Sequence, residues 1–145
     1  MNKKLEEILN REKSFIIAAG AFTGARAFDA ISTSIGISKI MSPTVMDRLK
    51  EYQVREFPTM GLEWVTNVVA AAGEGNSLTQ MFIVEYGLNQ GLLLRNIVIT
   101  LPILLVAYYL NKTSFFNKID PHLGNTALYV ATIPSVLVGL RNLYQ

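Results

Sequence analysis

The stretch that most constrains this chain is Ser14 to Met41, SFIIAAGAFTGARAFDAISTSIGISKIM, 28 residues without a proline. As a helix rising about 1.5 Å per residue, it is long enough to cross a hydrocarbon core with room for tilt. Yet Arg26 and Asp29 sit near its middle. A charge at the centre of a bilayer costs about 2.5–3.5 kcal/mol on insertion scales. Such a helix persists only where its charges face protein, water or each other. The stretch therefore predicts a helix with two unlike sides. Gly20 and Gly24 form a GxxxG pair on one side. Small residues at that spacing let another backbone approach closely in lipid, where packing replaces the hydrophobic effect as the driving force. Arg26, Asp29 and Thr33 fall on the opposite side of the helical wheel. Asp29 is expected to pair with Arg26 along the helix or with Arg95 of a later one.

Composition points the same way. Half of the 145 residues are hydrophobic and 17% are charged, a charged fraction well below the roughly 25% of a soluble domain. A soluble chain this short would struggle to hide that much apolar surface. The length suits a single helical domain. The net charge of +2 is too small to argue for nucleic acid as a partner. Without cysteine, disulfides, thiol catalysis and Cys-rich metal sites are excluded, and no cofactor is expected.

The remaining segments arrange themselves around the first span, placed at 14–41. The leading MNKKLEEILNREK reads either as an amphipathic helix at the membrane surface, with Leu5, Ile8 and Leu9 on one face, or as a solvated extension of the span. Residues 42–60 form a connector. Pro43 opens a helix there, Pro58 stops it, and its mixed charges suit water or an interface. Residues 61–77 make an interfacial or re-entrant segment. Its GLEWVTNVVAAAG is too short to span, and Trp64 suits headgroup level. The glycines of GEGNS break it, leaving Asn76 or Ser77 to cap the next helix.

From Leu78 to Asn111 one long helix can be drawn, with Glu85, Asn89 and Asn96 as a continuous stripe and Arg95 nearby. It is too long for one bilayer, so its start projects or a break falls near a second GxxxG pair, Gly87–Gly91. The second span is accordingly placed at 88–111, with Pro102 expected to kink it. A polar loop carrying His122 leads to a third span at 125–143. The expected fold is all-α: an integral membrane helical bundle of about three transmembrane helices plus amphipathic or interfacial helices. Six Lys and Arg on one side against five on the other decide little about orientation. The cluster before the first span favours a cytoplasmic N-terminus.

The candidate site is an intramembrane polar cluster of Arg26, Asp29, Thr33, Glu74, Asn76, Glu85, Asn89 and Arg95, beside helix-packing glycines Gly20, Gly24, Gly87 and Gly91. Carboxylates with the Asn76 and Asn89 amides are oxygen ligands of the kind a hard cation takes, and the sequence leaves a metal open. The pattern resembles a family of small polytopic membrane proteins of archaea and bacteria, known only as a domain of unknown function. Asp29 and Thr33 in FDAIST, Glu74 and Asn76 in GEGN, Arg95, and Asn142 in RNLYQ carry the resemblance. Ser77 stands where that family has proline, and a long insertion from about Met41 to Ala72 separates the first two motifs. The resemblance implies architecture and brings no activity with it.

Enzyme templates are not met. There is no HExxH, GxSxG, Walker A or GxGxxG, and His122 lies in a loop. An intramembrane enzyme acting on lipid is the weakest of three readings. The preferred one is a non-enzymatic, multi-pass protein of the cell membrane that acts as a structural or interaction subunit. Its expected partners are the lipid bilayer and itself or other membrane subunits. The alternative is a small channel or carrier with a polar path.

Overall fold

The structure, a computed structural model, describes residues 3–113, 116 and 118–144, with side chains from residue 6 onward. Among these, six helices and no strand are found: α1 Lys3–Ile40, α2 Pro43–Glu56, α3 Leu62–Ala72, α4 Ser77–Tyr86, α5 Leu88–Lys112 and α6 Leu123–Tyr144. The fold is all-α. Three of the helices, over Glu6–Ile40, Leu88–Lys112 and Leu123–Tyr144, are long and apolar enough to cross a membrane.

The sequence accounts for where these helices start and stop. α1 has no interior breaker, so the leading charged segment continues into the apolar stretch as one helix. The extension reading holds, and no separate surface helix precedes the span. Arg11 Nη2 donates to Glu7 Oε1 at 2.7 Å, with the acid one turn before the base, the favoured order. Ser42 is extended and Pro43 opens α2, because a residue before proline is steered away from helical geometry while proline itself fits the first turn. The same effect at Phe57, before Pro58, ends α2 at Glu56. The turn that follows is closed by Gln53 Nε2 donating to Met60 O at 2.6 Å.

α4 starts at a side-chain cap. Asn76 Oδ1 accepts from Thr79 N at 3.1 Å and from Thr79 Oγ1 at 3.2 Å. Glu74 Oε1 accepts from Asn76 N at 3.2 Å. α4 ends at Gly87, whose φ of +80° and ψ of 168° a residue with a side chain would adopt only at a cost of about 1–3 kcal/mol. That single residue separates α4 from α5. The long helix drawn from Leu78 is therefore two, and the continuous stripe of Glu85, Asn89 and Asn96 does not exist. Glu85 sits exposed near the end of α4, and Asn89 opens α5. Pro102 and Pro134 lie inside α5 and α6.

The chain forms two compact units that share α1, α5 and α6. The first comprises 1–29 and 98–140, the second 30–97 and 141–145. The first unit is centred on Ala18 and Phe22 of α1, Ala107 of α5 and Leu128 of α6, all at most 2% exposed. The second is centred on Ile37 of α1, Ala70 and Ala71 of α3, Ile83 of α4 and Leu92 of α5. Small residues at these centres let helices approach closely.

Candidate functional site

In the first unit, Arg26 Nη1 lies 3.4 Å from Asp29 Oδ2 on the same face of α1. Arg26 is 9% exposed and Asp29 1%. Removing either partner of so buried a pair costs more than the pair itself contributes, because the remaining charge keeps its desolvation penalty. Arg26, one of the two arginines offered by the sequence, stands at ion-pair distance from Asp29 within its own helix.

The same unit holds an amide arrangement that the sequence reading missed. Asn111 Nδ2 donates to Asn125 Oδ1 at 2.7 Å, and Gly124 N donates to Asn111 Oδ1 at 2.8 Å. Asn111 thus satisfies a backbone donor in the first turn of α6, one of those a helix leaves open. Asp120 Oδ1 accepts from His122 N at 2.8 Å just before that turn. A side chain on Gly124 would collide with Ala107 O, so glycine alone permits this approach of α6 to α5. The signal available in sequence was the pair of asparagines flanking a loop of 13 residues, read only as polar loop composition.

In the second unit, two polar contacts join α1 to later helices. Asn142 Nδ2 of α6 donates to Thr33 Oγ1 at 2.8 Å. Ser34 Oγ donates to Asn89 Oδ1 of α5 at 2.9 Å. Thr33 is buried, so its hydroxyl would otherwise carry a desolvation penalty of about 1–3 kcal/mol. Thr33 and Asn142 meet across 109 residues of sequence. Arg95 is 8% exposed on α5.

The remaining predicted site residues have local duties. Glu74 and Asn76 build the cap of α4, Asn76 is exposed, and Glu85 is exposed on α4. Among the described residues no three His, Asp or Glu converge as they would to hold a metal ion.

The four predicted packing glycines divide. A Cβ on Gly91 would lie 2.6 Å from Phe82 O and 2.7 Å from Ile83 N, so α5 packs backbone to backbone on α4 there. Gly87 makes the turn beside it. Gly20 and Gly24 are exposed, with no described atom within 4 Å of an added Cβ. Among the described residues, no neighbouring helix closes over that pair.

No protein-family model, no curated protein and no solved structure matches the chain.

Proposed function

We propose that this chain is a multi-pass protein of the cell membrane, with α1, α5 and α6 as its spans and α2 and α3 as its interfacial helices. In this reading it serves as a non-enzymatic interaction subunit, in a homo-oligomer or with other membrane proteins. One observation carries the reading. Only 22% to 28% of the apolar window of each long helix is buried by the chain itself. Ile16, Ile31, Leu105 and Leu137 are each at least 60% exposed. Apolar stripes of that length left uncovered call for lipid or a partner's helices. The open Gly20–Gly24 face supports a partner at α1, since that spacing serves close helix pairing in lipid.

The test is carbonate washing of isolated membranes followed by sizing in mild detergent. The chain is expected in the washed pellet and at a size above the monomer. Recovery in the soluble fraction ends the membrane reading, and a strictly monomeric size ends the assembly reading. A channel or carrier remains the second reading. It draws on the buried polar side chains of α1, Arg26, Asp29, Ser32 and Thr33, which such a path requires. Ion flux in liposomes holding the purified chain would favour it.

A further inference from the structure

At one end of the first unit, three segments pass between polar and apolar sequence together. α1 turns apolar at Phe15, directly after Arg11, Glu12 and Lys13. α5 leaves its apolar run at Tyr108 and ends on Lys112, and Pro121 leads the chain into α6. Arg11, Glu12, Phe15, Tyr108, Lys112 and Pro121 line a groove there. Its aromatic wall is built, with the rings of Phe15 and Tyr108 edge to face at 5.3 Å. Lys112 Nζ stands 5.3 Å from the centre of the Tyr108 ring and is paired with Glu12. Both members of that pair are accessible, with side chains 48% and 37% exposed.

Each cation of this groove already has a carboxylate, Arg11 with Glu7 and Lys112 with Glu12, and both pairs are solvent-accessible. An accessible ion pair contributes about 0–1 kcal/mol, so a competing anion displaces the carboxylate at little cost. A phosphate oxygen on ammonium or guanidinium makes a charge-assisted bond of the same kind as the carboxylate it replaces. One residue beyond Phe15, Ile16 is 67% exposed, and three before Tyr108, Leu105 is 61% exposed. Apolar chains attached to the anion would therefore find open apolar helix beside the groove. An anion joined to apolar chains, held where polar sequence meets apolar, describes a phospholipid headgroup.

We propose that this groove is a headgroup site for the phosphodiester of a phospholipid, with Lys112 its principal cation and Glu12 an internal competitor for that cation. The site rests on the membrane reading above.

The experiment uses the full chain purified in non-ionic detergent, with bound lipid read by native mass spectrometry. The probes are dioleoylphosphatidylglycerol and dioleoylglycerol, which lacks the phosphodiester. The phospholipid is expected to be retained about tenfold better. Lys112→Met should remove most of that margin. Glu12→Gln should increase retention about threefold, because it releases Lys112 to the phosphate. A merely structural pair gives the opposite pattern, in which both variants alter stability and neither alters retention. Equal retention of the two probes, or a Glu12→Gln variant that retains no more phospholipid than the parent, overturns the site. Displacement of the lipid by excess glycerophosphoglycerol, which has no chains, overturns its assignment to lipid. A chain that survives carbonate washing yet shows no headgroup preference loses this site alone, whereas recovery in the soluble fraction removes the membrane reading as well.

Discussion

The two GxxxG pairs of this chain are spelled alike and end up unlike. Gly20 and Gly24 lie inside a helix of 38 residues, exposed, with no described atom within 4 Å of an added Cβ. Gly87 and Gly91 lie at a corner. Gly87 is not in a helix at all, and its φ of +80° turns α4 directly into α5. Because one residue makes that turn, the first turn of α5 is carried against the last turn of α4. Gly91 is where the two backbones meet, 2.6 Å from a would-be Cβ to Phe82 O. The spacing permits close approach of a second backbone, but it does not choose the backbone. In the second pair the first glycine supplies the partner by folding the chain back. In the first pair no described segment takes that role, so the face remains open to lipid or to another molecule.

The closed side of α1 bounds what its open side can mean. Asp29→Asn removes the carboxylate 3.4 Å from the buried Arg26 guanidinium. Destabilisation of about 3–5 kcal/mol is expected, the usual cost of breaking a buried pair on one side. Denaturant titration in mixed micelles reads it. Adding Arg26→Gln should recover part of the loss, and the double-mutant cycle isolates the coupling. A silent Asp29→Asn would mean that this side of α1 is as wet as the glycine side is open, and the two faces would no longer be distinct.

At the corner, Gly91→Val is expected to cost about 1–3 kcal/mol by overpacking against the α4 backbone. Gly87→Ala should cost about 1–3 kcal/mol through its backbone, φ +80° and ψ 168°, rather than through contact. Its would-be Cβ has only the Asn67 amide nearby, at 3.7 Å and beyond. Thermal unfolding of each variant, followed by circular dichroism, separates the two. If Gly91→Val costs no more than Gly87→Ala, the corner is held by the turn alone and the close approach contributes nothing.

What the sequence made legible follows from how local each cause is. The three long apolar helices, the Pro43 start, the stop before Pro58 and a break near Gly87–Gly91 all rest on one or two residues acting on their own backbone. Which side of α1 would be buried was also legible, because Arg26 and Asp29 cannot remain alone in an apolar setting. The rest depended on partners distant in sequence. Nothing local distinguishes Gly20 from Gly91, since each is decided by what packs over it. Gly124 was overlooked because its neighbours, Ala107 O and the Asn111 amide, arrive from another helix. Residue type alone groups Glu74 and Asn76 with the polar cluster, although Asn76 equally suits a helix cap. The cap is what forms, because Thr79 lies three residues on and needs no tertiary structure to reach it.

The smallest change in stability is expected from the most exposed pair. Gly24→Ile adds a β-branched side chain where no described atom lies within 4 Å, so the folded chain has no steric reason to resist it. The helix itself loses nothing, since glycine is the poorer helix former by roughly 0.5 kcal/mol or more. Unfolding of the isolated chain should therefore shift by less than about 0.5 kcal/mol, in contrast to Gly91→Val. Assembly is where the variant should act. If a second copy or another subunit pairs along Gly20–Gly24, the isoleucine holds the two backbones apart. Cross-linking in native membranes and sizing in detergent should then show the oligomer lost while the melting curve is kept. That combination assigns the open face to a partner. Loss of both together would mean the face is closed within the chain after all, and the contrast between the two glycine pairs would fall. Retention of both would leave Gly20–Gly24 facing lipid, and the assembly reading would have to find its contact elsewhere on the exposed apolar surface.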